Sequence, residues 1–377
     1  MIHTFQLFIK PISPKKNVIA IFSMLSILFI FHTTVWFLFT KNILDIPSNL
    51  KIGDLARLSY QIQSIQLRDN SITNLDFKHL ESKNYKHGTI DILTIGDSFS
   101  NGGAGGINPY YQDYIATIYQ KKVLNISPSK MDKNYIETIM SLYNNGYLEK
   151  IKPKLIILGS VERAVIKRFT KEINWNYKIS EEQSLKNFNH SVFNVHKQEN
   201  ISVINNGNYD FILNPILYQL ANKPIQRSGV YRANLKCKLF SAKADKKLLF
   251  HKEEVENIPY TTNQNILILN NNLNKLASLL QKKNIKLAFM PAVDKYNLYS
   301  PYILNNKFPK SKFFELIRPL NKIYYFIDTK AILAPLLPKT KDLYYADDTH
   351  WNYIAAEEII KYTPFNIILK EEKNHAL

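Results

Sequence analysis

The sequence predicts an α/β fold: a parallel sheet flanked by helices, behind an N-terminal transmembrane helix and with a large insertion after the third strand. Three observations lead there. From residue 91 short apolar runs alternate with helix-spaced segments. Residues 17–40 carry no charge. Residues 164–262 are rich in Asn, Lys and Tyr and have no clean period, which predicts an insertion.

The elements follow in chain order. Residues 1–16 hold Lys10, Lys15 and Lys16 and are expected in the cytoplasm. "NVIAIFSMLSILFIFHTTVWFLFT" (17–40) is long enough to cross a bilayer, which takes about 20 apolar residues. A cleavable signal has a shorter apolar core and a small-residue cleavage site, and neither is present, so an uncleaved anchor is expected. The lysines before it place residue 41 onward outside the inner membrane. His32, inside the span, is tolerated or faces a partner helix. Residues 41–88 are polar and poorly periodic and are expected to form a stem and lead-in.

The sheet domain is expected over 89–363. "DILTI" (91–95), "VLNI" (123–126) and "KLIILG" (154–159) are buried strands. Between them "YYQDYIATIYQKK" and "YIETIMSLYNNGYLEK" carry helical spacing. After the insertion come the helix "ILILNNNLNKLASLLQKK", the strand "IKLAFMPAV" (285–293), a helix around 313–323, the strand "YYFID" (324–328) and a helix after His350. Residues 364–377 are expected as a tail.

The chain has 377 residues, 45% hydrophobic and 21% charged, which is ordinary globular composition. Its net charge of +18 is spread along the chain, and no tight Arg/Lys cluster interleaves with aromatics, which argues against a nucleic-acid partner. The single cysteine, Cys237, excludes an internal disulfide and any CxxC centre. His190 and His196 are the nearest approach to a ligand pair, and nothing around them completes a metal set. Neither a metal nor a cofactor is expected.

"DILTIGDSFSNGGAGG" places Ser98 just past the first strand, at the start of the next helix, where sites form in open parallel sheets. A serine nucleophile needs a base, and the base needs an orienting carboxylate. "YYADDTHWNYIAAEEIIKY" offers His350 beside Asp347 and Asp348. Ser98 and the acidic pair would also serve as helix caps. The glycines fit no phosphate-binding pattern and suit a flexible turn.

"IGDSFS" with "DDTHWN" resembles the SGNH/GDSL hydrolase superfamily, and more narrowly the branch related to alginate O-acetyltransferases. That branch writes its motifs G-D-S-F and D-x-H-W-N, which match Ser98, Asp348 and His350. Ordinary members place the acid three residues before the histidine, which would be Asp347, so both acids stay open. "LIILGSVERAV" (155–165) resembles the branch's third-strand segment, ending in Glu162 and Arg163. In the alginate enzymes the Asp-His motif precedes the serine, whereas here it follows.

The resemblance implies an SGNH-like (flavodoxin-like) fold. It implies a membrane-anchored O-acetyltransferase that acts on a cell-envelope or exported polysaccharide, with the domain in the periplasm. A multi-spanning membrane O-acyltransferase would be the acetyl-donor partner. Because the usual oxyanion residues are missing, Arg163 and the Ser98 N–H are expected to hold the oxyanion. The alternatives are a carbohydrate acetyl esterase and a non-catalytic glycan-binding assembly protein.

Overall fold

A computed structural model describes residues 13–44, 52–69, 71–86, 88–126, 128, 134–180, 201–221 and 228–370. His190, His196, Lys10 and the end of the expected tail lie outside the described residues.

Six parallel strands form one sheet. They are β1 (Leu80–Glu81), β2 (Ile92–Ile95), β3 (Val123–Ile126), β4 (Leu155–Val161), β7 (Lys286–Ala292) and β8 (Tyr325–Phe326), in the order β1-β3-β2-β4-β7-β8. β2, β3 and β4 are buried at every residue, because helices cover both faces of a parallel sheet. Their Ile, Leu and Val side chains join the main core, each worth about 1.5–3 kcal/mol once removed from water. Among the helices are Tyr111–Tyr119, Tyr135–Asn144, Asn263–Gln281 and Tyr353–Tyr362. The first and last of these pack against one another.

Several elements differ from the sequence reading. The second helix ends at Asn144, as its Asn-Asn-Gly run predicts, with Gly146 in the left-handed region; the departure is a further short helix beyond it, Tyr147–Ile151. The helix around 313–323 covers only Phe313–Ile317. Between β4 and β7 the described residues carry a helix, Asn206–Ala221, and an antiparallel pair, β5 (Val230–Asn234) and β6 (Lys247–His251). Part of the expected tail is packed: Phe365–Ile368 is a short helix with Phe365 and Ile368 buried.

The N-terminal helix runs Pro14–Val35 and continues through a π-turn, Trp36–Thr40. It is long and apolar enough to cross a membrane, and most of its surface is exposed. Ser13 caps it and Pro14 opens it.

The largest departure concerns residues 41–88. The described residues from 52 onward do not stand off as a stem. Residues 52–68 lie against the far end of the chain: the Ala56 N–H donates to the Asp347 carbonyl (3.0 Å), and the Gly53 N–H to Asp347 Oδ2 (2.8 Å). Any Cβ at position 53 would overlap the Asp347 backbone, so only glycine allows the approach. Such a pairing spans 294 residues, which local periodicity cannot register.

Candidate active site

The strand order reverses between β2 and β4, the place where sites form in open parallel sheets. Ser98 stands just past the carboxyl end of β2, exposed, two residues past Gly96. It does not begin a helix, as the sequence suggested; the next helix starts at Tyr111. Residues 97–104 instead form tight turns, in which the Asn101 and Gly103 N–H groups both donate to the Ser98 carbonyl (3.2 and 2.8 Å). Gly102, Gly105 and Gly106 hold left-handed φ values, and this run of glycines disfavours an early helix.

Asp97 fixes the turn from below. Its Oδ2 accepts from the Val161 N–H (2.8 Å) and from Arg168 Nη1. Burial pushes the Asp97 carboxyl up, and Arg168 with the Val161 and Phe99 N–H donors overcomes that and holds it below its ordinary value. Asp97 therefore ties the end of β2 to the end of β4 as an anion.

His350 comes from the loop before helix Tyr353–Tyr362. That helix is capped by Asn352, whose Oδ1 accepts from the Ile354 and Ala355 N–H groups, so neither aspartate is needed as a cap. His350 Nε2 lies 2.6 Å from Ser98 Oγ, and its Nδ1 lies 2.6 Å from Asp348 Oδ1. Asp348 Oδ1 also accepts from the His350 N–H (2.9 Å), which sets the ring over its own loop. Phe99 packs on one side of the imidazole, with ring centroids 4.8 Å apart. The geometry thus joins Ser98, His350 and Asp348 in one hydrogen-bonded relay. Two short bonds at opposite ring nitrogens fit a neutral imidazole with Nδ1 protonated.

Electrostatics fits that order. Burial opposes ionisation of both partners, and their attraction outweighs it. Asp348 is held down to about 2, and His350 is raised above its ordinary value. Asp54 adds negative charge nearby and thereby also favours the imidazolium. Ligand atoms of Asp54, Asp348 and His350 lie within 4.8 Å of one another, but each residue is already bonded: Asp54 accepts from the Thr349 N–H and Oγ1, while the other two serve the relay.

Asp347, the other candidate acid, points away from His350. Its Oδ1 takes Arg68 Nη1 (2.9 Å) and its Oδ2 takes Gly53. Arg68 is the residue the sequence did not signal. From one buried guanidinium it donates to Asp347, to Asp348 Oδ2 (3.3 Å), to the Gln66 carbonyl and, through Nε, to the Ala104 carbonyl (3.0 Å). It also lies 3.9 Å from the Tyr345 ring centroid. Arg68 therefore joins the serine turn to the Asp-His loop.

Lys295 was missed as well. It is fully buried at the end of β7, and its ammonium donates to the carbonyls of Tyr345, Ala346 and Asp348 (2.7, 3.0 and 3.0 Å). Burial lowers it to about 8. Its signal in the sequence was faint: one lysine just past an apolar strand.

Arg163 and Glu162, expected at the oxyanion, are held by other partners in the structure. Arg163 Nη1 donates to Asp294 Oδ1 (2.8 Å), and Glu162 accepts from the Asp294 N–H, Asn297 Nδ2 and Ser311 Oγ. Neither is bonded to Ser98, Asp348 or His350. A buried cation draws the nearest buried carboxylate, and Asp294 at the end of β7 is that group. Arg163 reaches the site only through its charge, which opposes protonation of His350. The Ser98 N–H, the other expected donor, has no acceptor among the described residues.

Trp175 is half-buried against the core beneath Lys275. Gly103 has a sharper role than a flexible turn: a Cβ there would lie 2.6 Å from His350 Nε2. No family model and no curated protein matches this chain.

Proposed function

We infer that this protein is a membrane-anchored acyltransferase of SGNH type that moves acetyl groups onto a cell-envelope or exported polysaccharide. On this reading residues 164–262 are an insertion in an SGNH-like domain, the domain is periplasmic, and the anchor sits in the inner membrane. The observation that carries the reading is the Ser98–His350–Asp348 relay at the switch point of a parallel sheet, with the Ser98 hydroxyl open to solvent.

The steps balance. Ser98 Oγ attacks the acetyl carbonyl while His350 Nε2 takes its proton, and Asp348 stabilises the imidazolium. Collapse of the tetrahedral intermediate expels the donor's leaving group, which takes the proton from His350. A sugar hydroxyl then gives its proton to His350 and attacks the acetyl-serine, and the second tetrahedral intermediate expels Ser98 Oγ, which takes that proton back from His350. The free Ser98 N–H is suited to receive the oxyanion. A multi-spanning O-acyltransferase would deliver the acetyl group across the membrane.

The test uses the detergent-solubilised full chain and an activated acetyl ester. Acetyl label should appear on the peptide containing Ser98 and pass to an added oligosaccharide. Transfer to water alone, with acceptors ignored, would favour the acetyl esterase. Absence of label from Ser98 would overturn the acyl-enzyme reading and leave a glycan-binding protein.

A further inference from the structure

We propose that helix Asn206–Ala221 is a second membrane element, sunk beside the anchor with its apolar face in the acyl chains of the outer leaflet. The proposal rests on the reading of Pro14–Thr40 as a membrane span.

The helix is inside out for water. Its protein-facing side carries Asn208, Asn214 and Tyr218, all buried. Its outer side carries Ile212, Leu213, Ile216, Leu217 and Leu220, all exposed, with Leu220 at 79%. A water-facing helix distributes these residues the other way. A contiguous apolar face of this size marks contact with protein or lipid.

What it packs on identifies the lipid. Asn208 Nδ2 lies 2.8 Å from His32 Nδ1, and Tyr209 Oη lies 3.0 Å from His32 Nε2. Trp36 Nε1 donates to the Ile201 carbonyl (3.2 Å), and Phe211 stacks on Phe39 with centroids 4.4 Å apart. These contacts run from His32 to Phe39 on the outward half of the span. At 1.5 Å per residue His32 lies about 12 Å below Thr40, inside the hydrocarbon. A chain segment at that depth must satisfy its polar groups within the protein. Here His32 bonds Asn208 and Tyr209 and the Trp36 indole bonds the Ile201 carbonyl, while Asn208 Oδ1, Thr33 Oγ1 and Thr40 Oγ1 have no partner among the described residues. The expectation that His32 faces a partner helix thus finds that helix within the same chain.

The two helices also enclose a wholly apolar groove of about 510 Å³, with Leu25, Leu28 and Phe31 on one wall and Tyr209, Ile212 and Leu213 on the other. It is continuous with the exposed face of the anchor, which the bilayer covers on the same reading, so acyl chains are its occupant. The helix's single charge, Asp210, lies on the domain side, near enough to Tyr60 to raise that phenol alongside burial.

The test places an environment-sensitive fluorophore on Leu213→Cys or Ile216→Cys, in a Cys237→Ser background. The full chain is reconstituted in phosphatidylethanolamine–phosphatidylglycerol vesicles, with nitroxide lipid as quencher. Both sites should emit blue-shifted light and lose fluorescence to the lipid nitroxide but not to aqueous iodide. Red-shifted emission quenched by iodide would overturn the proposal. So would blue-shifted emission that neither agent quenches, which would mean a protein partner or second copy covers the face. A probe on Leu25→Cys separates the two readings. Lipid quenching there with water at Leu213 sinks the second element alone, whereas water at both sinks the span.

Discussion

Gly103→Ala isolates the geometry of the relay in a single methyl group. Gly103 is outside the left-handed region, so alanine meets no backbone penalty. The added Cβ would lie 2.6 Å from His350 Nε2 and 2.9 Å from its two ring carbons. Ordinary contact needs about 3.5 Å, so roughly 0.9 Å must be found. If the imidazole retreats by that amount, the Ser98–His350 bond opens from 2.6 Å to beyond hydrogen-bond range. A displacement near 1 Å at the reacting groups costs about 100-fold in rate, or about 2.7 kcal/mol of barrier. If the turn yields instead, the Gly103–Ser98 bond is lost and overpacking removes about 1–3 kcal/mol of stability. Single-turnover acetylation of Ser98, read beside a thermal melt, separates the two. Wild-type acetylation with an unchanged melt would refute the packing of His350 against this turn.

The two aspartates should part company. Asp348→Asn is expected to cost about 10⁴ in turnover with folding intact, because the imidazole loses its orienting anion. Asp347→Asn should spare turnover in the folded protein but lower stability by about 3–5 kcal/mol, since it breaks a buried ion pair; denaturant melts and rate assays on both variants would show the reverse pattern if Asp347 were the relay acid. On the acyl-enzyme reading the base form of His350 takes the Ser98 proton, and its pKa is raised, so acetylation should climb with pH to a midpoint above 6.5. Asp54→Asn removes a charge that favours the imidazolium and should move that midpoint down; an unmoved pH profile would exclude Asp54 from the site's field. At the sheet edge His79 lies between Asp113 and Glu81, and their pull outweighs burial and raises it to about 9. Its contribution is full below about 6.5 and lost as pH rises through 9, at most about 3 kcal/mol, so His79→Gln should flatten the pH dependence of melting across that window.

What the sequence disclosed follows from where the information sits. β2, β3, β4 and β7 were legible because each is a short, mostly apolar and almost wholly buried run; β8, half-exposed at the sheet edge, was legible through the aromatic stretch "YYFID" around it. β1 was not, because "LE" at a sheet edge has no run to detect. β5 and β6 were hidden because "VYRAN" and "KLLFH" are joined by a long irregular loop without a hairpin signal. In the site, Ser98, His350 and Asp348 each sit beside local punctuation: glycines on one side, an amphipathic helix on the other. Arg68, Gly53 and Lys295 matter only through backbone and side-chain partners far off in sequence. Arg163 misled because its neighbours in sequence say nothing of Asp294, which meets it across β4 and β7.

The packing of residues 52–68 onto the Asp-His loop has a practical consequence for where this chain can be divided. A soluble version cut after residue 88, as the polar composition of the lead-in invites, would discard Arg68, Asp54 and Gly53 together. Asp347 would then keep its burial without its cation, and the serine turn would lose its tie to the opposite loop. Such a fragment would read as an inactive enzyme for reasons unrelated to its nucleophile. The smallest faithful soluble chain begins ahead of Gly53; on the reading of Pro14–Thr40 as a membrane span, attachment and assembly of the Asp-His loop depend on segments only about a dozen residues apart in sequence.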